Sequence, residues 1–197
     1  MKKIEIVWRE LLFQSIENKN RQFTQQELAA KFGFSTSTIF QALKIPRKAG
    51  AVRVTGRYFT LEDAEKLLYY WASVRNFERE IILAAHTDLS PFEIEAQMPA
   101  NVVFGSFTAA YKILGGKVPA DYDTVYVYCA NLAEIKRRFE IQKGKPNLIV
   151  LTPDRFLAPY GQTTTISQTF VDLWNIPVWY AKEYVNSLKE KIDELLS

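Results

Sequence analysis

A chain of 197 residues with 48% apolar and 14% aromatic content holds enough apolar side chain for one or two packed cores, and its formal net charge is only +3. Apolar runs such as Ile81 to Ala85 are far too short to cross a bilayer, and nothing reads as a signal peptide, so a cytoplasmic protein with no membrane partner is expected. One cysteine and one histidine exclude an intrachain disulfide and a typical zinc site; Cys129 and His86 read as structural residues, and no metal or cofactor is expected.

Ile4 to Asn18 places apolar residues at 4, 7, 8, 11, 12 and 16, the stripe of an amphipathic helix. Thr24 with Glu27 three residues on is a capping box. Leu28, Ala29 and Phe32 follow at helical spacing, and Gly33 supplies a left-handed stop. After a turn of three to four residues, Ser35-Thr36-Ser37-Thr38 opens a second helix whose buried stripe is Ile39, Ala42 and Leu43. Pro46 should kink or end that helix near Lys44, leaving Arg47 and Lys48 on a separate turn. Beyond Gly50 the pattern predicts a hairpin: Ala51 to Val54, the turn Thr55-Gly56-Arg57, and Tyr58 to Leu61. Glu62 to Phe77 then reads as a connecting helix.

Between Leu28 and Leu61 stand six basic residues (Lys31, Lys44, Arg47, Lys48, Arg53, Arg57) and no Asp or Glu. Helix, turn, helix and hairpin carrying such a run is what a winged helix-turn-helix needs to lie along a polyanion, so double-stranded DNA is the expected partner. The second helix would present Thr36, Ser37, Thr38, Gln41 and Lys44 to a major groove, the short polar groups and Gln reading base edges. Lys44, Lys48, Arg53 and Arg57 would hold phosphates. The positive charge is confined to this part: residues 1–77 contain 13 Lys/Arg against 7 Asp/Glu, and residues 78–197 contain 12 against 15. The expected division is therefore a DNA-binding domain at 1–77 and a partner or regulatory domain at 78–197.

From Arg79 short strands alternate with helices. Ile81 to Ala85, Val102 to Phe104, Thr124 to Cys129 and Asn147 to Leu151 read as strands. Ser90-Pro91 to before Pro99, Ser106 to Leu114, Asn131 to Phe139, Ile166 to Trp174 and Val178 to Leu196 read as helices. The predicted fold class is α+β: an N-terminal winged helix-turn-helix followed by an α/β layer domain with a small mixed sheet. The final helix has Tyr180, Tyr184, Val185, Leu188, Ile192 and Leu196 in one stripe, which either packs on its own domain or joins two copies in a homodimer.

Two patterns in the second domain bear on function. Gly105-Ser106 before a helix, with Asp121 and Asp123 ahead of the next strand, resembles the nucleotidyltransferase signature of a triphosphate-binding Gly-Ser and paired Mg²⁺-binding carboxylates. It departs from that signature in three places. Fourteen residues separate Ser106 from Asp121, Phe107-Thr108-Ala109 replaces the usual basic and Gly residues, and Asp154 lies beyond the later strand rather than in it. The alternative is that Gly105 allows a tight turn, Ser106 caps the helix, and the two acids are loop residues; no catalytic residue is assigned.

The second pattern is the succession Val103-Phe104-Gly105-Ser106-Phe107-Thr108-Ala109-Ala110-Tyr111, Thr124-Val125-Tyr126-Val127-Tyr128, Leu132 to Phe139, Pro146-Asn147-Leu148-Ile149-Val150-Leu151 and Gln168-Thr169-Phe170-Val171-Asp172-Leu173-Trp174. It resembles the C-terminal part of AbiEi-type transcriptional regulators, the antitoxins of type IV toxin–antitoxin systems and their relatives. That resemblance implies a DNA-binding autorepressor whose genomic partner is a nucleotidyltransferase toxin. A protein-docking scaffold that never touches DNA is the remaining alternative.

Overall fold

Chain contacts divide the protein into two units, Met1–Arg75 together with Lys191–Ser197, and Asn76–Glu190. The computed structural model describes residues 1–197 and shows a mixed α+β chain with nine α-helices and two small sheets.

In the first unit the order is α1 (Lys3–Ile16), β1 (Gln22–Phe23), α2 (Gln25–Phe32), α3 (Thr36–Lys48), β2 (Val52–Thr55), β3 (Tyr58–Leu61) and α4 (Ala64–Val74). The start of α2 follows its capping signals: the Glu27 amide donates to the Thr24 hydroxyl at 3.1 Å, and the Thr24 amide donates to the Glu27 carboxylate at 3.1 Å. Gly33 closes the helix at φ +60°. β2 and β3 form an antiparallel hairpin, and β1 adds to the free side of β3, giving the order β1-β3-β2. The hairpin turn is two residues long rather than three. Thr55 pairs with Tyr58, and Gly56 takes φ +61° in the first turn position, as a type II′ turn requires.

α1 is buried along most of its length, and Trp8, Leu11, Leu12 and Ile16 pack with Ile39, Leu43, Leu67, Leu68 and Trp71 as fully buried side chains. Glu5 lies in this interior and is satisfied twice, by Trp71 Nε1 at 3.1 Å and by Arg75 at 3.2 Å. Removing Arg75 would take the countercharge from the buried Glu5 carboxylate, which is the costly outcome for such pairs.

The expected break at Pro46 does not occur: α3 runs unbroken to Lys48 with Pro46 inside it. A proline at 46 removes the amide that would donate to the carbonyl of Ala42, four residues back. That carbonyl instead accepts from Trp8 Nε1 at 2.7 Å in the buried interior, so the helix continues without an orphaned acceptor. α4 is also shorter than the predicted Glu62–Phe77. Asp63 caps it by accepting from the Lys66 amide at 2.9 Å, and the backbone is already extended at Arg75.

The second unit contains β4 (Ile81–Ala85), α5 (Pro91–Ala96), β5 (Val103–Phe104), α6 (Ser106–Ile113), β6 (Val125–Tyr128), α7 (Leu132–Arg138), β7 (Leu148–Leu151), α8 (Ile166–Trp174) and the start of α9 (Ala181–Leu196). Its sheet is mixed, in the order β4-β7-β6-β5, with β6 and β7 parallel and the other neighbours antiparallel. Strand alternation sends Val125, Val127 and Cys129 into a cluster with Ile94, Ile135 and Phe139. On the other face Tyr126 meets Phe107 of α6, and the Tyr128 hydroxyl donates to Asp172 of α8 at 2.5 Å. Helices thus cover both faces of the sheet. Tyr180, just ahead of α9, and Tyr184, Val185, Leu188 and Ile192 within it are buried in the chain itself. No helix is long and apolar enough to cross a membrane.

Candidate nucleic-acid interface

α3 is amphipathic in a way that fixes what it offers outward. Ile39, Ala42, Leu43 and Pro46 are buried, so the opposite side of the helix is exposed. At helical spacing Thr36, Ser37, Phe40, Gln41, Lys44, Arg47 and Lys48 fall within about 140° of the circumference. All seven are exposed. Because Pro46 does not break the helix, Arg47 and Lys48 stand on the same face as Lys44, and with Phe40 they line one open depression. Thr38 lies at the edge of that face, half-buried, with its hydroxyl 3.0 Å from the Ser35 hydroxyl that caps the helix.

The six basic residues are not equivalent. Lys31 is tied to the buried carboxylate of Glu10. Arg53 on β2 is paired with Glu62 through Nη2 at 2.8 Å and Nε at 2.9 Å, and Glu62 lies one residue beyond the acid-free run. The Thr60 hydroxyl also donates to Glu62, at 2.6 Å, and this bond together with Arg53 holds the Glu62 carboxyl below its usual range. Lys44, Arg47, Lys48 and Arg57 have no acidic partner, and Arg57 stands exposed at the hairpin tip beside Thr24, Gln25 and Gln26. Arg47 and Phe40 belong to the face although neither is among the site residues expected from the sequence. The signal that finds them is a helical wheel drawn through Pro46 instead of one that stops before it.

The residues of the nucleotidyltransferase-like pattern have other occupations. Gly105 is the N-cap of α6, and a Cβ there would come within 3.1 Å of the Tyr128 ring, so the close strand-to-helix turn accounts for the glycine. Ser106 does not cap α6 as expected. It is the first helical residue, at φ +47°, and its buried hydroxyl has no hydrogen-bond partner. Asp123 accepts from Tyr180 at 2.6 Å, Thr124 at 2.7 Å and Lys145 at 2.8 Å. The bonds from Lys145 and then Tyr180 hold its carboxyl down to about 2. Asp121 is exposed, and no three His, Cys, Asp or Glu side chains are grouped to hold a metal ion. Tyr122 donates to Glu95 at 2.7 Å, and burial pushes its phenol, like those of Tyr126, Tyr180 and Tyr184, above the usual range.

The lone cysteine and histidine are structural in their contacts. Cys129 is buried, its Sγ lies 3.6 Å from the Asn131 carbonyl, and burial pushes the thiol up. His86 Nδ1 lies 2.8 Å from the Lys145 carbonyl, and the ring packs so closely on Gly144 that a Cβ there would come within 2.4 Å of it.

Asp123 yields a test of its structural role. Its folded-state value, about 2, lies below its usual 3.8, so its contribution to stability is present above 3.8 and is lost as pH falls through about 2. The side chain is 53% exposed, and solvent screening limits that contribution to about 1 kcal/mol or less. Asp123→Asn is therefore expected to cost up to about 1 kcal/mol in urea unfolding at neutral pH. The gap to the wild-type protein should close as pH is lowered from 3.8 toward 2. A gap that stays constant over that range would rule out the carboxylate as its source.

No family model, curated protein or solved structure matches the chain.

Proposed function

We propose that the chain is a sequence-specific DNA-binding transcriptional regulator, with the first unit acting as a winged helix-turn-helix and α3 as its recognition helix. The observation that carries this is the exposed face of α3, where Lys44, Arg47 and Lys48 stand together with no acidic partner beside Thr36, Ser37 and Gln41. The order α1-β1-α2-α3-β2-β3 supports it, since β2 and β3 then serve as the wing and Arg57 at their tip as a phosphate contact. In this reading Thr36, Ser37 and Gln41 reach base edges, and Thr38 holds the Ser35 cap that positions them. Arg53 contacts phosphate only after leaving Glu62.

The resemblance of the second unit to AbiEi-type antitoxins extends the proposal to an autorepressor, with a nucleotidyltransferase toxin as partner of that unit. Two copies would occupy an inverted repeat, because one such helix reads one half-site. The test is fluorescence anisotropy with labelled duplex from upstream of the chain's own gene, titrated across a range of salt. Tight, sequence-dependent binding with a steep salt slope is expected. Binding no tighter than to an unrelated duplex, with no salt slope, would leave the reading without support.

A second result is expected from the wing. Glu62→Gln frees Arg53 and removes a negative charge beside it, so affinity for duplex DNA should rise by up to about fivefold, the upper range for an exposed ion pair. Unchanged or weaker binding would mean that Arg53 does not reach the DNA.

A further inference from the structure

We propose that Phe40 reads the 5-methyl group of thymine, so that the half-site bound by α3 contains an A·T pair recognised jointly by Phe40 and Gln41; this rests on the DNA-binding reading above. Phe40 is 44% exposed in the middle of the face that carries Lys44, Arg47 and Lys48. Its ring is neither stacked on another aromatic side chain nor covered by any of those cations. Ile39 and Leu43, on either side of it in the sequence, supply the core contacts of this part of α3. The exposed part of the ring is therefore open to a ligand.

A phenyl ring set among three unpaired cations is poorly placed for an apolar protein groove, which would have to bury those charges as well. A DNA major groove suits both features. Phosphates on either side accept Lys and Arg, and the one apolar group on the groove floor is the thymine methyl. Gln41, adjacent in sequence and exposed, has the donor and acceptor that match adenine N7 and N6. An A·T pair displays that adenine edge and the thymine methyl side by side. Lys44 projects between the two side chains, toward the backbone or a neighbouring guanine.

The experiment uses the full chain. Duplexes that bind are enriched from a random library, and each thymine of the selected sequence is then replaced singly by deoxyuridine, which removes only the methyl. At one or two positions the wild-type protein should bind about fourfold more weakly, the equivalent of one methyl group no longer buried. Phe40→Ala should bind the thymine and uracil duplexes equally and Phe40→Leu should keep the preference, with thermal unfolding checking that both are folded at the assay temperature. Equal binding of all uracil duplexes by the wild-type protein, while Lys44→Ala still weakens binding, would overturn the assignment and leave DNA binding in place. No retention of any duplex by the wild-type protein would overturn the DNA-binding reading and this assignment with it.

Discussion

Alanine at Lys44, Arg47 and Lys48 together is expected to weaken binding to duplex DNA by about a hundredfold and to leave the fold intact. Each of the three side chains is exposed and lacks an acidic partner, so its charge is available to a phosphate without first breaking another bond. A contribution of about 1 kcal/mol each, the upper range for exposed ion pairs, gives about 3 kcal/mol, or somewhat over a hundredfold. The slope of log affinity against log salt should flatten by about 2.7, at about 0.9 for each phosphate no longer neutralised. The loss should be similar on specific and unrelated duplexes, because phosphates carry no sequence. Gln41→Ala should differ in kind, narrowing the gap between specific and unrelated duplexes and leaving the salt slope alone. A triple variant that keeps the wild-type salt slope would remove α3 from the interface. Thermal unfolding of each variant checks that only the surface has changed.

The second large effect is expected in the interior, at Trp8. Trp8→Phe removes the indole N–H that the Ala42 carbonyl accepts and leaves that carbonyl buried without a partner, at a cost of about 1–3 kcal/mol. The smaller ring adds about 1 kcal/mol for the space it vacates, so the variant should be destabilised by about 2–4 kcal/mol in urea unfolding. The cause is separable from simple packing because the missing donor can be returned from the other side. Pro46→Ala restores a helical amide four residues beyond Ala42, and in the Trp8→Phe background it should recover about 1–2 kcal/mol more than it contributes alone. If Trp8→Phe costs the same in the Pro46→Ala background as in the wild-type chain, the indole is not what lets α3 pass through the proline.

Those two sites also mark where the sequence is legible and where it is not. Local signals translate directly: the Thr24–Glu27 and Ser90–Glu93 boxes start α2 and α5, Gly33 ends α2, and runs of Val, Ile and Tyr become β6 and β7. These depend on neighbours within four residues, which a sequence displays. Pro46 misleads because its remedy, Trp8, lies 34 residues before the carbonyl it satisfies. The acid-free run is an incomplete guide for the same reason. It counts acids inside its own limits, whereas Glu10 and Glu62 sit outside it and take up Lys31 and Arg53. β1 escapes notice because two residues are too few to show alternation. The strained backbone at Ser106 follows a Gly-Ser pair that reads equally well as an ordinary helix start.

The small strand β1 has a consequence for the order in which the first unit assembles. Its two rungs, Gln22 to Thr60 and Phe23 to Phe59, with the Phe23 and Phe59 rings stacked at 5.6 Å, join segments on either side of α2, α3 and the hairpin turn. Closing so long a loop costs about 3 kcal/mol of chain entropy, and a two-rung pairing repays little of it until α2, α3 and the hairpin are docked on α1. β1 therefore zips up late in folding and is the first part of the sheet to open. In hydrogen exchange its amides should be released well before those of β2 and β3, through excursions that leave the β2–β3 pairing and the face of α3 formed.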